Sequence, residues 1–130
     1  MTFNLTTDYA IRIILCLGKK GNVLSASVLA TEMEIPEKYL MKVVKKLKDG
    51  KLVTSIAGVN GGYCLCKDLN EITLLDVMNI VQAKSKEEQY EEYSNNKKIQ
   101  DFYKIKNYYK SCKKRLENEY LTKSLAEILM

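Results

Sequence analysis

The sequence predicts a mainly α fold with one small β-hairpin: a winged helix-turn-helix followed by a long C-terminal dimerisation helix. Three observations predict it. Leu40, Val43, Val44 and Leu47 recur at the i, i+3, i+4, i+7 spacing of one buried helix face, and Lys38, Lys42 and Lys45 fall on the opposite side. Two strand-like runs follow, Leu52 to Ile56 and Tyr63 to Cys66, around the turn-like Gly58-Val59-Asn60-Gly61-Gly62. Further on, Phe102, Ile105, Tyr109, Cys112 and Leu116 are spaced 3, 4, 3, 4, an a/d seam over two heptads. A basic-faced helix ahead of a small hairpin can enter a major groove while the hairpin reaches a neighbouring one.

Taken in order, Thr7 to Leu17 is the first predicted helix. Thr6 or Thr7 caps it, Asp8 suits the positive end of its dipole, and Gly18 to Gly21 ends it. Tyr9, Ile13, Cys16 and Leu17 share its apolar side. Ser25 is the expected N-cap of a second helix running to about Glu34, with Val28, Leu29 and Met33 on its apolar face. Ile35-Pro36 breaks it, because the residue before proline avoids the α region, and Pro36 opens the third helix. Gly50 is the expected left-handed residue past that helix. After the hairpin, Asp68 to Glu71 is a turn, and Thr73 or Asn70 caps a helix from Leu74 to about Val81.

Lys84 to Lys98 then holds four Lys and four Glu with little apolar periodicity, and reads as a connection or an exposed helical turn. The long helix is expected from about Ile99 to Tyr120. Two heptads are short for a coiled coil, so a contact within the chain is the alternative. Tyr103, Tyr108 and Tyr120 make the segment apolar on more than one side, which favours a dimer interface. Leu121 to Met130, with Leu125, Ile128 and Leu129, folds back as a short helix. The resulting division is 1–83 for the winged helix-turn-helix, 84–98 for a charged connecting and effector segment, and 99–130 for the dimerisation helix and short terminal helix.

At 130 residues the chain fits one domain with an appended element. The net charge of +5 is modest, but residues 36–51 carry six Lys against Glu37 and Asp49. Lys110, Lys113, Lys114 and Arg115 form a second cluster. Such concentration suits a phosphate backbone; a solvated helix face is the bland alternative. The sequence contains no His, which removes the commonest general base and metal ligand, so no catalytic residue, no enzyme activity and no metal site are expected. No run approaches a membrane span, and the first residues lack a basic stretch before an apolar run, so neither membrane nor secretion is expected. Four cysteines without framework spacing fit a reducing cytoplasm.

Five stretches carry a family resemblance: TDYAIRIILCL at 7–17, IPEKYLMKVVKKLKDGKLVTS at 35–55, GGYCL at 61–65, EITLLDVMNIV at 71–81 and SLAEIL at 124–129. Together they resemble the Rrf-two family of bacterial transcription regulators, which includes the iron–sulfur cluster regulator, a nitric-oxide-sensing repressor and a cysteine-metabolism repressor. The resemblance covers nearly the whole chain. It implies a winged-helix domain, a long helix making a homodimer, and binding to a palindromic double-stranded operator, most often as a repressor. Control is expected at the segment after Val81, through a small-molecule ligand, a protein effector or thiol oxidation. The family's major-groove contacts carry over to Lys38, Tyr39 and Lys42; core packing is the alternative for Tyr39. The full set of DNA-binding candidates is Ser25, Lys38, Tyr39, Lys42, Lys45, Lys51, Asn60 and Gly61. The dimer set is Phe102, Ile105, Tyr109, Cys112 and Leu116.

Three departures from the family pattern qualify this. Cluster-binding members carry three cysteines beyond the wing, whereas this chain has none from Asp68 to Ser111, so no cofactor is expected. Ala57 stands where many wings present an arginine to the minor groove. Met41 stands where the iron–sulfur regulator has a DNA-facing glutamate, and methionine cannot accept from cytosine as a carboxylate does, so the operator should differ.

The remaining cysteines are weighed by position. Cys64 and Cys66, two apart on a strand, face one side about 6.6 Å apart, the outer limit for a disulfide. They read as small apolar residues or, alternatively, as a redox or soft-metal pair. Cys112 on the seam is a further redox candidate, and Cys16 belongs to the core. Other classes considered are a winged-helix protein-interaction module without DNA binding, a thiol redox sensor using Cys64, Cys66 and Cys112, and a thiol redox enzyme, which would lack both a CxxC motif and a base.

Overall fold

The computed structural model describes residues 3–82 and 97–130. In chain order these are α1 (Leu5–Lys20), α2 (Ala26–Met33), α3 (Glu37–Asp49), β1 (Val53–Ile56), β2 (Gly62–Leu65), a 3-10 turn (Leu69–Glu71), α4 (Leu74–Val81), α5 (Lys97–Tyr120) and α6 (Leu125–Leu129). The architecture is a winged helix followed by a long C-terminal helix.

The apolar periodicity of α3 becomes the centre of the core. Leu40, Val43, Val44 and Leu47 are all buried, packed with Ile13, Ile14 and Leu17 of α1, Leu29 of α2 and Val77 and Val81 of α4. Ser25 caps α2, its hydroxyl accepting from the Val28 amide at 3.2 Å. Thr73, not Asn70, caps α4: its hydroxyl accepts from Asp76 N–H, and the Asp76 carboxylate accepts from Thr73 N–H, both at 3.0 Å.

Several boundaries differ from the expectation. The first helix starts earlier, because Asn4 rather than Thr6 or Thr7 caps it, its side chain accepting from Thr7 N–H at 2.9 Å. Thr7 lies inside the helix and is fully buried. The helix also runs through Gly18 to a left-handed Gly21 (φ 66°). Gly18 is there for space: a Cβ at that position would lie 2.6 Å from the Leu69 side chain. On α2 only Leu29 is buried; Val28 is exposed and Met33 half-buried, since the helix lies at the edge of the bundle.

Gly50 is not the left-handed residue after α3. It sits at φ −83°, and positive φ falls on Lys51 (φ 62°). Leu52 N–H returns to Leu47 C=O at 3.0 Å and Lys51 N–H to Lys48 C=O at 2.9 Å, a Schellman closure one residue later than expected. Glycine is needed at 50 because Ile80 packs there, 2.5 Å from where a Cβ would be.

The hairpin strands are antiparallel, with Val53 opposite Leu65, Thr54 opposite Cys64, Ser55 opposite Tyr63 and Ile56 opposite Gly62. At the far end of the chain, α6 packs against the 3-10 turn, and backbone hydrogen bonds tie its approach to the start of α4. Leu125 N–H donates to Ile72 C=O at 2.8 Å, Leu75 N–H to Leu121 C=O at 3.0 Å, and Leu125 is buried in the main core. Ile128 and Leu129 are exposed.

Candidate nucleic-acid interface

The burial of one side of α3 dictates what the other side shows. Lys38, Tyr39, Met41, Lys42 and Lys45 are all exposed along the first three turns of α3. Lys46 is different: its Nζ donates to the Val81 carbonyl at 3.2 Å, tying α3 to the end of α4. The α3 N-cap is Pro36, which makes no side-chain cap hydrogen bond.

Tyr39 is 45% exposed, so it is not a core residue, although its ring is supported from below. The Tyr9 ring lies 6.4 Å away, and the Arg12 guanidinium sits over Tyr9 at 5.5 Å. Arg12 is itself held by Asp8 at 2.7 Å and by the Met33 carbonyl at 3.0 Å. This chain of contacts fixes the start of α3 against α1. Sequence reasoning missed Arg12, and the only local signal was Asp8 four residues before it. Met41 meets the hairpin, where the Tyr63 hydroxyl points to its sulfur at 4.0 Å.

The wing lies alongside. Gly58, Val59 and Asn60 form its tip, Gly61 N–H closes on Gly58 C=O at 3.0 Å, and Val59 is fully exposed. Asn60 and Lys51 are exposed, Gly61 half-buried, and Ala57 exposed at the position that departs from the family pattern. Ser25 is half-buried; its oxygen caps α2, which leaves its O–H free to donate outward.

On α5, Phe102, Ile105, Tyr109, Cys112 and Leu116 are all exposed, with Ile105 71% exposed, and none belongs to the core formed by the described residues. Tyr108 and Tyr120 are exposed too. The Phe102 and Tyr103 rings lie 5.7 Å apart, tilted by 57° to each other. Residues 84–96 of the connecting segment lie outside the described residues.

All four cysteines are free thiols: Cys16 buried, Cys64 half-buried, Cys66 and Cys112 exposed. Cys16 lies between α1 and α2, its sulfur 3.6 Å from a Glu32 carboxylate oxygen, and burial followed by that carboxylate pushes its thiol pKa up. Lys20 pairs with Glu32 at 2.5 Å, which lowers the Glu32 pKa and raises that of Lys20.

A family model described as an iron-dependent transcriptional regulator, Rrf2, matches residues 3–130. The residues present do not fit a thiolate-bound iron centre. The four cysteines lie on three separate parts of the fold, residues 83–96 contain neither Cys nor His, and among the described residues no three Cys, Asp or Glu converge to hold a metal. Among the described residues, no helix is long and apolar enough to cross a membrane.

The chain is 37% identical over 70 residues to the HTH-type transcriptional regulator NsrR of Oceanobacillus iheyensis, covering 52% of this chain and 48% of that one. It spans about half the length of the curated relatives it matches. In fold it is similar to IscR of T. potens (TM-score 0.71, 20% identity, 99% of this chain and 86% of that one). It is likewise similar to CymR, the global cysteine regulator of B. subtilis (TM-score 0.61, 24% identity, 85% of this chain and 88% of that one). With the winged helix, the long C-terminal helix and a family match across residues 3–130, the chain belongs to the Rrf2 family of transcriptional regulators.

Proposed function

We propose that the protein is a cytoplasmic, homodimeric repressor that binds a palindromic DNA operator. The observation that carries this reading is the two-sided character of α3: one face is sealed into the core while Lys38, Tyr39, Lys42 and Lys45 all stand exposed on the other, beside an exposed wing. In this reading Lys38 and Lys42 reach guanine acceptors or phosphates, and the Tyr39 hydroxyl donates to a phosphate oxygen. Lys45, Lys51, Asn60, Gly61 and the Ser25 hydroxyl contact the flanking backbone. Met41 replaces hydrogen-bonding readout with an apolar contact, so the operator differs from that of relatives with a carboxylate there. Phe102, Ile105, Tyr109, Cys112 and Leu116 hold the second subunit, and their geometry sets half-site spacing. A small-molecule or protein effector acts through the segment joining α4 to α5.

The test is binding of the purified protein to a duplex from its own upstream region and to a scrambled duplex, at several salt concentrations, with and without reductant. Selective binding that weakens steeply with salt is expected. Equal, weak binding to both duplexes under every condition would favour a protein-interaction module instead.

A further inference from the structure

We propose that Cys64 and Cys66 form a two-thiolate site for a soft monovalent metal ion of the copper(I) class at the root of the wing. Both cysteines line one cavity of about 390 Å³ between the hairpin and the end of α1, with Leu17, Gly18, Asn22 and Lys67 on its walls. Cys64 is half-buried and Cys66 exposed, so the site is open to an entering ion. The ladder continues past β2, Cys66 N–H donating to Leu52 C=O at 2.9 Å. The two side chains therefore stand on the same strand face, about 6.6 Å apart along the backbone with parallel Cβ directions. That geometry opposes a direct sulfur–sulfur bond. A metal ion between the sulfurs spans a longer distance and relieves the mismatch.

The donor set selects the ion. Thiolates prefer soft metals, and zinc requires four ligands. Among the described residues no third Cys, Asp or Glu joins these two thiols in a metal-holding cluster. The nearby Glu71 carboxylate is a hard donor already accepting from Asp68 N–H at 3.1 Å. Copper(I) is content with two sulfur ligands in line. On binding, both S–H groups release their protons to solvent, two S–Cu bonds form, and the metal stays in its monovalent state. The product carries one net negative charge, which the Lys67 ammonium on the same cavity wall offsets. The site does not depend on the DNA-binding reading.

The reduced full-length protein is titrated without oxygen against a chromogenic copper(I) chelator. The wild type and Cys112→Ser should each withdraw one copper(I) per chain. Cys64→Ser and Cys66→Ser should each weaken retention by roughly 100-fold or more, having lost one of only two soft ligands. Alkylation mapping of the wild type gives an independent readout that requires no variant: copper(I) should protect Cys64 and Cys66 and leave Cys112 reactive. Failure to compete with the chelator, retention by Cys64→Ser, or protection of Cys112 in place of the pair would each overturn the proposal.

Discussion

Tyr63 and Leu24 are joined by a reciprocal pair of backbone hydrogen bonds, Tyr63 N–H to Leu24 C=O at 2.8 Å and Leu24 N–H to Tyr63 C=O at 3.0 Å. The hairpin is thereby stitched to the residue that precedes the α2 cap, and the wing and the helix-turn-helix share one frame. The approach is close enough to require glycine at the neighbouring position. A Cβ on Gly62 would lie 2.3 Å from the Leu24 carbonyl oxygen, and the φ of 155° is rarely adopted by other residues. Gly62→Ala should therefore destabilise the fold by roughly 2 kcal/mol or more. Urea unfolding followed by circular dichroism checks it; an unchanged midpoint would mean the wing is not part of the cooperative unit.

Lys51 holds the left-handed position after α3 although it carries a side chain. Lys51→Gly removes that strain and should stabilise the fold by about 0.5–1 kcal/mol. The same change deletes a proposed phosphate contact, so thermal stability should rise while DNA affinity falls.

Lys42 is exposed on the open face of α3. If it contacts a phosphate, Lys42→Ala should weaken binding to all duplexes alike and reduce the log–log salt slope by about one. An unchanged slope with altered base preference would assign it to direct readout instead.

Ile105 is one of the most exposed apolar side chains of the α5 seam. Ile105→Glu costs the single chain little and places a charge in the proposed subunit contact. Sedimentation should show a shift from dimer to monomer with the circular dichroism spectrum retained. Persistence of the wild-type oligomeric state would move the interface elsewhere.

Glu32 is held by Lys20, and its pKa lies below the ordinary glutamate range. A carboxylate with a depressed folded pKa adds stability above its unfolded pKa, and that contribution is lost as pH falls through the folded value. Glu32→Gln should thus lower stability slightly at neutral pH, where the contribution is fully present, and change little once pH has fallen below the folded Glu32 pKa, so the acid limb of the profile flattens. The pair is solvent-exposed, so the effect is small and shrinks further with salt.

The central helix was legible because its information is local: Leu40, Val43, Val44 and Leu47 encode a face in their spacing alone, and Ser25 and Thr73 announce their helices by capping chemistry. The glycines misled, because a glycine can serve a backbone angle or a lack of room, and the letter is the same. Gly18 and Gly50 answer to Leu69 and Ile80, residues 51 and 30 positions away in sequence, and no window around them reveals those neighbours. The support of Tyr39 by Tyr9 and Arg12 was hidden for the same reason. At the interface, the lysine face was readable from periodicity, whereas the diversion of Lys46 to the Val81 carbonyl is a tertiary fact.

Leu125, from the last turns of the chain, completes the hydrophobic core built by the first eighty residues. The protein is thus a candidate for fragment complementation. A chain nicked between 82 and 97 yields two peptides that each hold part of one core, held together without a covalent link by Leu125 and the Leu125–Ile72 and Leu75–Leu121 hydrogen bonds. The two should migrate together on a sizing column and separate only in detergent.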